Sequence, residues 1–188
     1  MKDIKFSICI PNYNYAQYVG ETIQSVLDQS YENFEIIIAD NASEDDSLNV
    51  IKSFNDPRIK LIENKFNIGF SPNLDKAASQ ATGDFIILLS SDDLMKLNAL
   101  EEYCETIDSF DHDKLILVSA YDVIDSEGKK ISEKPAMTGD VITHLKRTNK
   151  TESKSYQKIQ KYSGLDILQG LLKGQFQTPG HFCTTCYS

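Results

Sequence analysis

The stretch FSICIPNYNYAQYVGETIQSVLDQSYENFEIIIADNAS, residues 6–43, decides the fold. It opens on an apolar run, Phe6–Ile10, and nears its end on a second, Phe34–Ala39. Between them Ala16, Val19, Ile23, Val26 and Leu27 recur at helical spacing. Apolar runs without alternation fit strands covered on both faces, so the stretch reads as strand, helix, parallel strand. The turn after the first strand, Pro11-Asn12-Tyr13-Asn14-Tyr15, contains no glycine. A pyrophosphate cradle needs small residues for close backbone approach, which excludes the glycine-rich phosphate loops. Proline and tyrosine offer flat apolar faces, and asparagine offers amide edges. Those suit a stacked planar base; a Pro-Asn turn with Tyr13 or Tyr15 packed on a neighbour fits the same residues.

The alternation continues outward. Further strands are expected at Ile59–Ile62, Asp84–Leu89 and Lys114–Ser119. Helical stripes are expected from Leu48, Ile51 and Phe54, then Leu74, Ala77, Ala78 and Ala81, then Leu97, Leu100, Tyr103, Cys104 and Ile107. This order predicts an α/β fold, a mostly parallel, doubly wound sheet flanked by helices. Ser43-Glu44-Asp45-Asp46 resembles a capping box, and Ser71-Pro72 reads as an N-cap with proline at the first helical position. After Tyr121 the pattern changes. YDVIDSEGKKIS, from Tyr121, reads as a hairpin turning at Glu127-Gly128, and residues 132–160 read as a polar, flexible excursion. Leu165, Leu168, Leu171 and Leu172 then mark a short helix, and the sequence stops within an apolar strand pattern, FQTPGHFCTTCYS. A piece of a longer protein is the expectation. The expected division is a core over 1–125, the excursion over 126–162, and an incomplete acceptor-side segment over 163–188.

A chain of 188 residues is long enough for one well-buried core, and 40% hydrophobic with 25% charged residues is ordinary globular composition. A net charge of −9 argues against a nucleic-acid surface, whose affinity comes from Lys and Arg on phosphates. No apolar run reaches membrane-spanning or signal-peptide length, so a cytoplasmic location is expected. Cys9, Cys104, Cys183 and Cys186 read as ordinary thiols, because the single CxxC has no second pair to complete a zinc site.

In open α/β sheets ligands bind beyond the C-terminal strand ends. Those ends carry Pro11-Asn12-Tyr13-Asn14, then Asp40-Asn41, then Ser90-Ser91-Asp92-Asp93. Asp45 and Asp46 read as helix caps. Asp92 and Asp93 follow the buried-strand pattern DFIILLSS, where two adjacent carboxylates are costly unless compensated. A divalent cation compensates them and also gives this acidic protein a way to hold a diphosphate; an acidic cap on the helix expected near Lys96 fits them too.

At these residues the chain resembles the family-2 glycosyltransferases of the GT-A fold, over roughly residues 5–120. The opening stretch matches their strand ending in Pro-x-Tyr-Asn and their second strand ending in Asp-Asp/Asn-Gly-Ser. NKFNIGFSPNLDKAASQATGDFIILLSSDD, residues 64–93, matches their next segment and acidic motif. The resemblance implies transfer of a sugar from a nucleoside-diphosphate sugar, with a UDP-sugar expected, to a glycan or lipid-linked acceptor in polysaccharide biosynthesis. It implies inversion at the anomeric carbon. By it Pro11 and Tyr13 flank the base, Asn14 lies in the same loop, Asn41 meets the pyrimidine edge, and Asp40 supports the loop. Asn73 lies near the sugar diphosphate, Asp92 faces ribose or sugar and joins Asp93 at the metal, and Asp93 binds Mn²⁺ or Mg²⁺ with the diphosphate. Ser90 stands where many members carry an Asp, Asn41 replaces the commoner Asp, and Ala42 replaces Gly and calls for ordinary backbone there.

The family's catalytic base is an acidic residue from a later segment, and no Asp or Glu follows Asp166, so the base is expected beyond Ser188 and the fragment is expected to be inactive alone. His181 is a candidate neighbour of acceptor or metal, or a packed strand residue. Residues 143–161 hold six Lys/Arg against one Glu and offer peripheral contact with anionic lipid, or a solvated loop. One other enzyme reading, one non-catalytic binding reading and one signalling reading compete. A degenerate nucleotide-sugar-binding remnant stays open, a sugar-phosphate nucleotidyltransferase wants a Gly-rich basic first loop, and a receiver-like domain wants an acidic pair there.

Overall fold

Four of the apolar runs lie side by side in one direction, in the order Ile59–Glu63, Phe34–Asp40, Phe6–Asn12 and Phe85–Leu88 across the sheet. The structure is a computed structural model that describes residues 3–109, 116–118, 121–134 and 185–187. In it β1 (Phe6–Asn12) leads to α1 (Val19–Leu27), β2 (Phe34–Asp40), α2 (Ser47–Ser53) and β3 (Ile59–Glu63). Then follow α3 (Phe70–Ala78), β4 (Phe85–Leu88) and α4 (Ala99–Asp108). Each expected strand of the core is present, and β1 runs two residues further than the apolar pattern, to Asn12.

The chain lays β2 and β3 outward from β1, then passes back to add β4 on the other side. Parallel crossovers are right-handed, so reversing the direction of travel moves the helix to the opposite face. Alternate residues of β1 record this. Ile8 and Ile10 join Val19, Ile23 and Val26 of α1 and Ile51 of α2 in the larger core. Cys9 packs instead with Ile37, Ala39 and Ala77 of α3. Each fully buried isoleucine contributes about 1.5–3 kcal/mol by leaving water, so covering both faces makes this sheet a rigid platform.

Beyond β4 the sheet is mixed. β8 (Thr185–Tyr187) runs antiparallel between β4 and β5 (Ile116–Val118), so the last strand pattern has neighbours on both sides. β6 (Tyr121–Ile124) and β7 (Lys130–Lys134) form the expected hairpin, with Gly128 at φ 77° in the turn. The start of the expected excursion is therefore strand as far as Lys134. The rest of it, the short leucine helix, His181 and the basic 143–161 segment lie outside the described residues.

Three helix starts differ from the pattern. The capping box does not form, because α2 begins at Ser47 and the Asp40 carboxylate takes both the hydroxyl and the N–H of Ser43. Helix α3 begins at Phe70 with Gly69 (φ 88°) as N-cap, which makes Pro72 the third helical residue. That position has no helical acceptor for an N–H, so proline costs nothing there. Leu97 is 64% exposed and lies before α4, its carbonyl accepting the N–H of Ser30.

Candidate functional site

The strand order reverses between β1 and β4, and open sheets bind ligands at such a crevice. A shallow depression lies there, lined by Pro11, Leu88, Leu89 and Ser90 from the strand ends and by Phe70 and Leu74 from α3. Pro11 is buried, while Tyr13 and Tyr15 are each 39% exposed and Phe70 is 55% exposed. Flat apolar surface is thus available at the rim.

The first loop cannot serve as a phosphate cradle, for a reason the sequence did not reveal. Its successive backbone N–H groups are already taken by side-chain oxygens of the second loop. Asn14 N–H donates to Ser43 Oγ at 3.0 Å, Tyr15 N–H to Ser47 Oγ at 3.1 Å, and Ala16 N–H to Asp45 Oδ2 at 2.9 Å. Asn14 Oδ1 returns the link by accepting the Glu44 N–H at 2.7 Å. Asp45 also accepts the Ser47 N–H at 3.0 Å ahead of α2, whereas Asp46, the N-cap residue itself, makes no side-chain capping bond and its carboxylate takes Asn49 Nδ2 at 2.7 Å instead. Burial works against ionisation of Asp45, yet its donors hold the carboxyl below the usual aspartate range.

Asp40 is fully buried and its carboxylate is consumed locally. It accepts Asn12 Nδ2 at 2.8 Å, Ser43 Oγ at 2.6 Å and the Ser43 N–H at 2.9 Å. It organises the loop. Asn41 is 3% exposed and equally committed: Nδ2 donates to Asn67 Oδ1 at 2.8 Å and to the Gly69 carbonyl at 3.3 Å. Its Oδ1 accepts the Ile68 N–H at 2.9 Å and Asn64 Nδ2 at 3.2 Å. Asn64 extends this to Asn73 Oδ1 at 2.7 Å and receives Lys76 Nζ at 2.7 Å; Asn73 Nδ2 donates to the Ala39 carbonyl at 2.7 Å. The amides of Asn41, Asn64, Asn67 and Asn73 therefore form one network that fastens the β3–α3 loop to the end of β2. Asn64 and Asn67 were missed as contributors, although two asparagines between the end of β3 and Gly69 were a readable signal. Ala42 corrects another expectation: its φ is 61°, the left-handed region, not ordinary backbone. The tight link from Asp40 to Ser43 imposes that turn.

Asp92 and Asp93 follow β4 at the same rim, Asp92 exposed and Asp93 half-buried, in a turn closed by the Asp93 N–H on the Ser90 carbonyl at 3.2 Å. No group of three or more His, Cys, Asp or Glu that could hold a metal ion occurs among the described residues. Two adjacent hard carboxylates nonetheless fit Mg²⁺ or Mn²⁺, because such ions are held by one or two carboxylates with substrate phosphates and water completing the shell. No helix among the described residues is long and apolar enough to cross a membrane.

Comparison with known proteins agrees with this geometry. Residues 7–170 match the family model of Glycosyl transferase family 2. The chain is 36% identical over 115 residues to the putative glycosyltransferase EpsE of Bacillus subtilis (strain 168), covering 60% of this chain and 41% of that one. It is 38% identical over 101 residues to WfgD of Escherichia coli, a UDP-Glc:alpha-D-GlcNAc-diphosphoundecaprenol beta-1,3-glucosyltransferase, covering 54% and 40%. The chain thus spans well under half the length of these relatives. Among solved structures, S. aureus TarS in complex with UDP-GlcNAc superposes with a TM-score of 0.57 at 28% identity, covering 61% of this chain and 34% of that one. A Pyrobaculum calidifontis mannosyltransferase shares the fold, with a TM-score of 0.53 at 20% identity over 66% of this chain and 37% of that one. The sheet and its flanking helices are the GT-A, Rossmann-like arrangement.

Proposed function

This chain belongs to glycosyl transferase family 2, and from that premise we propose that its β1/β4 rim binds a nucleoside-diphosphate sugar and donates the sugar to a glycan or lipid-linked acceptor. The observation that carries the reading is the placement of Asp92 and Asp93 at the switch point, beside a loop whose backbone donors are already occupied. Such a site must hold phosphate by some means other than a backbone nest. Asp93, with Asp92, would hold Mg²⁺ or Mn²⁺, and the ion supplies charge neutralisation to the departing diphosphate.

The remaining roles fall to the chain's own residues. Pro11 and Tyr13 flank the base with apolar surface, and Asn14 keeps their loop on the second one. Asp40, Asn41 and Asn73 act by fixing the loops around the donor; direct contact from Asn41 to a base edge requires it to exchange a present partner. A UDP-sugar donor, transfer with inversion, and acceptor contact by the basic 143–161 segment at the inner membrane face complete the proposal. Inversion in one displacement needs a general base near the acceptor hydroxyl.

Titration with UDP, GDP and dTDP, each with Mn²⁺, tests the base assignment. UDP is expected to bind tightest. Equal affinities would remove the uracil assignment, and no binding of any nucleotide would remove the donor-site reading.

A further inference from the structure

Between β4 and α4, residues 89–98 form neither helix nor strand, and this segment carries Asp92 and Asp93. Helix α1 fastens it. Thr22 Oγ1 donates to the Ser91 carbonyl at 3.0 Å, and Ser25 Oγ accepts the Met95 N–H at 3.1 Å. Gln29, just past the end of α1, donates through Nε2 to the Lys96 carbonyl at 2.8 Å and accepts the Leu100 N–H through Oε1 at 3.1 Å. At 100° per residue, positions 22 and 25 fall about 60° apart, so one side of α1 presents both, and Gln29 follows just past its end. Thr22 is fully buried and Gln29 is 6% exposed, so these are not solvated surface groups. Ser25 is itself oriented by donating to the Thr22 carbonyl at 2.7 Å. The attachments bracket the acidic pair, at Ser91 on one side and Met95 on the other.

We propose that Thr22, Ser25 and Gln29 are positioning residues that set Asp92 and Asp93 for a divalent cation and a diphosphate. The role rests on the donor site proposed above. A cation site must be held to within about 0.5 Å, and two carboxylates in an irregular segment acquire that precision only from what anchors the backbone. Here both of these backbone attachments around the pair come from hydroxyls of a helix whose apolar residues lie in the main core. Loosening them should therefore weaken the metal-dependent part of nucleotide binding and leave base stacking on Pro11 and Tyr13 alone.

The test uses the full chain and three variants. Thr22→Val keeps the shape and removes the hydroxyl, Thr22→Ser keeps the hydroxyl, and Gln29→Met keeps the length and removes all three side-chain hydrogen bonds, to Lys96, Leu100 and the Ser25 carbonyl. Mn²⁺ is titrated at fixed UDP, and uridine affinity is read without metal by ligand-observed NMR. Thr22→Val and Gln29→Met are expected to weaken Mn²⁺-dependent UDP binding about 10–100-fold, the usual effect of outer-shell loss, with uridine affinity unchanged. Thr22→Ser is expected to keep the wild-type value. Equal loss of uridine and Mn²⁺–UDP binding would reduce these residues to fold support and overturn the proposal, as would wild-type Mn²⁺–UDP affinity in both deletion variants. Absence of Mn²⁺-dependent UDP binding in the wild type would instead remove the donor-site reading, and this role with it.

Discussion

Replacing Asn41 with aspartate changes one NH₂ to an oxygen and almost nothing in volume. The two oxygens that now accept from Asn41 Nδ2 are Asn67 Oδ1 at 2.8 Å and the Gly69 carbonyl at 3.3 Å. Asn67 Oδ1 also accepts the Gly69 N–H at 2.8 Å, so its amide cannot turn without losing that bond, and the Gly69 carbonyl can only accept, so a carboxylate would face both oxygen to oxygen. Losing two donated bonds at about 1 kcal/mol each gives about 2 kcal/mol of destabilisation at neutral pH. For a chain of this size that lowers the melting temperature by about 4–8 °C. The Ile68 N–H and Asn64 Nδ2 continue to serve the other oxygen, which keeps the loss from growing further. A protonated carboxyl restores one donor, so the folded state raises the pKa of the introduced side chain above its unfolded value. The folded state then binds more protons than the unfolded chain, and stability falls as pH rises through the interval between the two values. Urea unfolding of Asn41→Asp and wild type at about pH 4, near the ordinary aspartate pKa, and at about pH 7, well above it, measures this. A gap that opens toward neutral pH supports the network. Equal stability at both pH values, with a gain in UDP affinity, would show that Asn41 faces the base and refute the loop assignment.

Three further outcomes are expected. Ala42→Gly should stabilise by about 0.5–1 kcal/mol in urea unfolding, since relief of left-handed backbone, about 1–2 kcal/mol, exceeds the entropy glycine adds to the unfolded chain. A loss of stability would contradict the Ala42 conformation. Gly83→Ala should destabilise by at least about 1–3 kcal/mol, because a Cβ there would sit 2.6 Å from the Lys5 carbonyl oxygen and 2.9 Å from the Phe6 carbonyl carbon, and backbone cannot step aside. Cys9 should resist alkylation in the native protein at pH 8, as peptide mapping after iodoacetamide would show. It is fully buried, and burial, aided by the charge of Glu35, pushes its thiol up to about 12.

The parts of this molecule that could be read from sequence are those set by burial. Ile8, Ile10, Ile36 and Ile38 sit in unbroken apolar runs because helices cover both sheet faces, and that alone placed the strand ends on one rim. The acidic pair was legible because charge directly after such a run is expensive. What stayed hidden depends on hydrogen bonds between segments distant in sequence. Ser43 looks like a helix cap in its own segment, but Asp40 and the first loop compete for it and win. Thr22 and Gln29 look like the polar side of an amphipathic helix until α4 and the acidic segment close over them. The Asn41 carboxamide reads as a ligand contact by position, yet its bonding capacity is used within the chain. In each case the residue type was compatible with two partners, and only the fold decides which is nearer.

The measurement that bears most directly on the donor site is calorimetric titration of UDP, with and without Mn²⁺, into wild type and Asp93→Ala. Binding that requires Mn²⁺ in the wild type and disappears in Asp93→Ala, with the melting temperature unchanged, is the expected result. UDP binding that ignores both the metal and the substitution would contradict it, and would place the phosphates away from the end of β4.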